Sequence, residues 1–116
     1  MSAEELRRAV DLFVRQVGHW EQPRWSAEAA GARAADAGAD ATGVSRADVV
    51  HRLVQEIANL AADAEGEPRR EVPRLENDLA LPDQLRVVVA DLIAAGAPDD
   101  VLAAAAAKVA AVRRLL

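Results

Sequence analysis

The chain has 116 residues, 52% of them hydrophobic, and a formal net charge of −5 at pH 7. That length supports one domain, 1–116, whose single core buries roughly two-thirds of the unfolded chain's surface. Cysteine is absent, which excludes disulfide scaffolding, thiolate catalysis and cysteine-ligated metals.

Phe13, Trp20 and Trp25 are the whole aromatic set, so the core has to be built from Leu, Val, Ile and Ala. Alanine occurs 28 times and is the best helix former. The expectation is an all-α protein. Of the 14 basic residues only Lys108 is lysine, a bias that points to a GC-rich bacterial genome. The chain begins acidic, with Glu4 and Glu5, and no apolar stretch reaches the ~18 residues of a membrane span. The expected location is therefore the cytoplasm, with no membrane partner.

A first helix is predicted over about residues 3–18. Ser2 can cap it, and Glu4 and Glu5 lie in the first turn, where the helix dipole favours anions. Leu6, Val10, Phe13, Val17 and Trp20 repeat at 4-3-4-3 spacing and share one face. Pro23 argues against a continuing helix in the stretch His19–Trp25. Trp20 and Trp25 there read either as an aromatic recognition surface or as a cap over one end of a bundle.

Residues 26–44 are an Ala/Gly/Asp-rich linker with no large apolar side chain before Val44, expected to be flexible. Asp36 and Asp40 lack the later ligands and closing Glu of a calcium loop. A second helix is predicted over 45–65, opened by the capping-box-like Ser45–Asp48 and closed by Gly66 and Pro68. Its expected inner stripe is Val50, Leu53, Ile57, Leu60 and Ala64, which leaves His51 solvent-facing. Residues 66–81 form a long loop. It is expected to be ordered because Val72, Leu75 and Leu79 can anchor it, and ordered long loops often carry function.

A third helix (82–95) starts at Pro82, and a fourth (98–115) follows the turn Gly96-Ala97-Pro98. So short a connection predicts that these two are antiparallel neighbours. Together the four segments predict a four-helix bundle.

The chemical inventory is thin. Two histidines, three serines, one threonine and no tyrosine offer no triad, no Glu-x-x-His pair of a di-metal bundle and no phosphate loop. No cofactor and no metal are expected. Arg69, Arg70 and Arg74 cluster in the long loop and suit a small anionic ligand, since guanidinium binds planar oxyanions in a bidentate manner. Trp20 and Trp25 are candidate further contacts for it. Nucleic acid is disfavoured by the acidic balance and by alanines where a recognition helix would carry polar side chains.

The third and fourth helices carry more apolar surface than one stripe needs. Val87, Val89 and Ile93 widen the third, and Ala103, Ala104, Ala107 and Ala111 occupy the outer face of the fourth. Surplus of this kind marks an association interface. The expected function is thus a non-enzymatic interaction module that pairs with itself or with another protein through these two helices. A regulatory protein that binds an anionic metabolite through the arginine loop 67–80 is the alternative.

Overall fold

A computed structural model describes residues 2–29 and 44–116. Helix α1 runs Ser2–Val17 and buries Leu6, Val10, Phe13 and Val17, the predicted face. It stops at Gly18, where a Cβ would stand 2.7 Å from the Val14 carbonyl oxygen. A short helix, α2, then spans Gln22–Ser26, with Pro23 in its first turn. Pro23 was expected to keep the first helix from continuing here, and α1 does end before it. It also sits in the first turn of a new one, because the first N–H groups of a helix have no intrahelical acceptor and proline lacks only that group.

Helix α3, Arg46–Glu65, is the predicted second helix, and its start is a complete capping box. Asp48 N–H donates to Ser45 Oγ at 3.0 Å, and Ser45 N–H donates to Asp48 Oδ2 at 3.1 Å. Gly66, at φ +70°, closes it in the left-handed conformation that glycine adopts without steric cost. A single 3-10 turn at Asp78–Ala80, capped by Asn77, leads into α4, Leu81–Ala94. Helix α5 spans Asp99–Arg114. The architecture is an all-α helical bundle.

Its pairing departs from expectation at the hairpin. α1 packs along α5 and α3 along α4, with lesser contact between α1 and α4 and between α3 and α5. α4 and α5, consecutive in the chain, share almost no close approach. The turn explains why. Gly96 sits at φ +73°, Ala97 is buried in the core, and Pro98 is extended at ψ 155°. The link therefore crosses the bundle end and delivers α5 to α1 on the far side.

One core cluster joins all five helices, with Trp25, Phe13, Leu6, Leu53, Ile57 and Leu85 among its fully enclosed members. Two buried faces are broader than a single stripe. On α3, Val54 and Ala61 are buried while Leu60 is only partly covered and Ala64 is exposed. On α4, Val89 is buried and Ile93 packs against the core, so both leave the predicted interface. Their surplus width is used because α4 meets α1 as well as α3.

The ends of the Ala/Gly/Asp-rich linker are held. Glu28 and Ser45 form an antiparallel bridge, Arg46 N–H donates to Ala27 O at 2.9 Å, and Ala29 N–H donates to Val44 O at 3.2 Å. Ala29 and Val49 make a small second cluster against Val44, Val112 and Leu115. The flexibility predicted for 26–44 thus fails at both ends, since two backbone bonds and one buried methyl anchor them. Residues 30–43 lie outside the described ones.

Candidate functional site

Residues 67–77 run as an extended strap across the outside of the α3–α4 pair. Three expected anchors were apolar, but only Val72 packs on the core, while Leu75 and Leu79 are 43% and 45% exposed. Polar bonds hold the strap instead. Gln55 Nε2 donates to Arg70 O at 3.0 Å, and its Oε1 accepts Val72 N–H at 2.7 Å. Asn59 Oδ1 takes a further Nε2 hydrogen at 3.0 Å, which fixes the amide's orientation. One turn earlier, His51 Nε2 meets Val72 O at 3.1 Å; a carbonyl only accepts, so this nitrogen carries the hydrogen. Gln84 Nε2 donates to Pro73 O at 3.2 Å.

His51 and Gln55 thus read the Val72 backbone as a neighbouring strand would. The expectation of a solvent-facing His51 fails because the strap adds a layer that a helical wheel does not contain. Gln55→Ala is expected to cost about 1–2 kcal/mol, since it strips partners from a part-buried N–H and a carbonyl. Hydrogen exchange of the Val72 amide should accelerate strongly while α3's own amides stay protected. Unchanged exchange at Val72 would show that Gln55 does not hold the strap.

The arginine cluster does not converge on an open site. Arg69 is bidentate to Asp63, at 3.0 and 2.6 Å. That hydrogen bond holds the Asp63 carboxyl below its ordinary value and raises Arg69. Arg74 bridges Asp48 at 2.9 Å and Asp78 at 3.3 Å. Burial works to lower Arg74, but the two carboxylates outweigh it and hold the guanidinium above its usual value. Of these three arginines, Arg70 has no ion pair among the described residues.

The tryptophans are not a recognition surface either. Trp25 is fully buried and Trp20 is 8% exposed, with ring centroids 5.1 Å apart in an edge-to-face contact at 66°. Arg24 and Arg46 lie over the Trp20 ring at 5.5 and 5.3 Å, within cation–π range. The pair caps one end of the bundle, beside the strap's end, where Gln22 Nε2 donates to Asp78 Oδ2 at 2.8 Å. It does not join Arg69 and Arg70 in one site.

Two grooves remain. The first, about 560 Å³, lies between the strap, α3 and α4. Alanines 58, 61 and 62 with Val72 and Val88 form its floor, and Glu65, Glu67, Glu71, Asp91 and Arg70 its rim. The second, about 350 Å³, follows the seam of α1 and α5. Ala9, Leu12, Ala103, Ala107 and Ala110 line it, and Glu5, Arg8 and Arg113 border it. Ala104, Ala107 and Ala111 are exposed, Ala103 is half-buried, and Leu12 is 38% exposed. Val87, 60% exposed on α4, is not among the residues lining this groove.

Among the described residues, no group of three or more His, Asp or Glu side chains is placed to hold a metal ion, and no helix is long and apolar enough to cross a membrane. No protein-family model, curated protein or solved structure matches the chain. Sequence reasoning missed Gln55, His51, Leu12 and the acidic rim. The 51/55 pair was visible as polar residues one turn apart, but nothing in the sequence announced that a loop would cover them.

Proposed function

We propose that the chain is a non-enzymatic helical interaction module that self-associates through the outer face of α5 together with α1. The observation that carries this reading is the alanine surface of α5, with Ala104, Ala107 and Ala111 exposed and Ala107 lining the same groove as a partly exposed Leu12. Small side chains let a second helix approach closely, and apolar surface left open on a small domain favours association. The bordering charges have both signs, Glu5 against Arg8 and Arg113, so two copies related by a two-fold axis can pair them. The interface expected from sequence, on the third and fourth helices, moves accordingly. α5 keeps its role, α1 replaces α4, and Val89 and Ile93 belong to the core.

Light scattering and sedimentation across a concentration series test the reading. The wild type is expected to reach dimer mass at tens of micromolar. Leu12→Glu combined with Ala107→Glu should leave a monomer with unchanged helical circular dichroism, because both positions are on the surface. A wild type that stays monomeric throughout this range would sink the self-association.

The anionic-ligand alternative is weaker on this geometry. Arg69 and Arg74 already face carboxylates of their own chain, and an incoming anion has to displace them.

A further inference from the structure

The loop that sequence marked as an anion site borders a groove of the opposite sign. Glu65, Glu67 and Glu71 rise from the end of α3 and the strap, and Asp91 from α4, against the single cation Arg70. Four carboxylates and one guanidinium give the lining a formal charge of −4 + 1 = −3. None of these four carboxylates has an ion-pair partner among the described residues. The contrast with Asp48, Asp63 and Asp78, which the strap's other arginines engage, is the informative point. Intramolecular pairing uses up Arg69 and Arg74 and leaves the groove's own acids open.

Between those acids the floor is apolar and pre-formed. Val72 is the strap residue that both lines it and packs on the core, and both of its backbone polar groups are held by Gln55 and His51. A floor fixed in this way loses little entropy when an aliphatic side chain settles on it.

We propose that this groove docks a basic amphipathic segment of a partner protein, with aliphatic side chains on the Ala62–Val72–Val88 floor and Lys or Arg side chains on Glu65, Glu67, Glu71 and Asp91. Charge complementarity selects this occupant. A second copy of this acidic chain, an anionic membrane and nucleic acid all meet a repulsive rim. A bare metal ion finds no ligand cluster among the described residues. The proposal does not rest on self-association, which uses the opposite seam of α1 and α5.

Fluorescence anisotropy with a short labelled peptide of leucine and lysine tests it, beside a glycine–lysine peptide of the same charge and a leucine–glutamate peptide. The leucine–lysine peptide is expected to bind most tightly, with an affinity that falls as salt rises. Glu67→Lys with Glu71→Lys should weaken it at least ~tenfold, whereas Glu4→Lys, on the outer face of α1, should leave it unchanged. The monomeric Leu12→Glu/Ala107→Glu protein should bind as the wild type does, so a failure here is separable from a failure of self-association. Equal binding of the glycine–lysine peptide would overturn the role of the floor. Binding of the leucine–glutamate peptide, no binding at all, or an equal loss in Glu4→Lys would overturn the site.

Discussion

Trp25→Ala is expected to cost about 3–5 kcal/mol, the range for removing a large enclosed aromatic, out of the 5–15 kcal/mol typical of a whole domain. Trp25 has no exposed surface and sits edge-to-face on Trp20. Deleting it opens a cavity where α2 closes the bundle and takes away the support under a ring that also carries Arg24 and Arg46. Trp25→Phe should be far milder. The indole N–H is buried with no hydrogen-bond partner among the described residues, a burden that phenylalanine removes while it keeps most of the ring. Urea unfolding followed by circular dichroism measures both. If Trp25→Ala cost less than about 1 kcal/mol, the tryptophan pair would be a surface feature after all, and the recognition reading would return.

Helix-forming residues were legible wherever a single physical rule decided them. Leu6, Val10, Phe13 and Val17 are a single-faced stripe, and all four are buried. Ser45 and Asp48 form the box their spacing promised, and Gly66 and Gly96 take the positive φ that ends a helix. What failed was whatever depended on a second element. Val89 looked like surplus because the position of α1 was not known. Leu60 packs only on the edge of the core, and Ala64, near the end of α3, is exposed. The short turn suggested neighbours, yet loop length limits only the separation of the helix ends and not the path of their axes. The strap shows the same limit in its polar form. Gln55 is an ordinary surface glutamine until a backbone lies beside it, so the candidate site was invisible from α3 alone.

The charges of the strap sort into two sets with different consequences. One set is internal: Arg69 with Asp63, and Arg74 with Asp48 and Asp78. Exposed pairs of this kind add little stability, so their main effect is to fix where the strap lies. The other set, Glu65, Glu67, Glu71 and Asp91, faces outward unpaired and adds to the net −5 of the chain. Keeping the first set satisfied is what leaves the second set free.

Asp48 is where the helix start and the strap meet, and Asp48→Ala is the second large effect expected. Its Oδ2 accepts Ser45 N–H and its Oδ1 accepts Arg74 Nη1 at 2.9 Å. Alanine removes half of the capping box, about 1 kcal/mol by the usual cost of a lost cap, together with the exposed pair to Arg74. A total of about 1–2 kcal/mol is expected, with faster exchange both at the first turn of α3 and in the strap. Asp48→Asn separates the two contributions, since an amide oxygen can still accept Ser45 N–H but no longer carries the charge for Arg74. The same carboxylate gives a pH signature. Partial burial, the largest single influence, pushes its carboxyl upward. Hydrogen bonds from Arg74 and from Ser45, with the Arg74 charge, outweigh burial and hold it below its ordinary 3.8. A carboxyl depressed on folding stabilises the native state fully above its unfolded value, and that contribution disappears as pH falls through the lower folded value. The stability gap between wild type and Asp48→Asn should therefore be constant from neutral pH down to about 5, and should shrink below the unfolded value near 4. A gap that persists undiminished at the acid end would show that the carboxylate's charge does no work here, and would leave Gln55 and His51 as the strap's principal restraints.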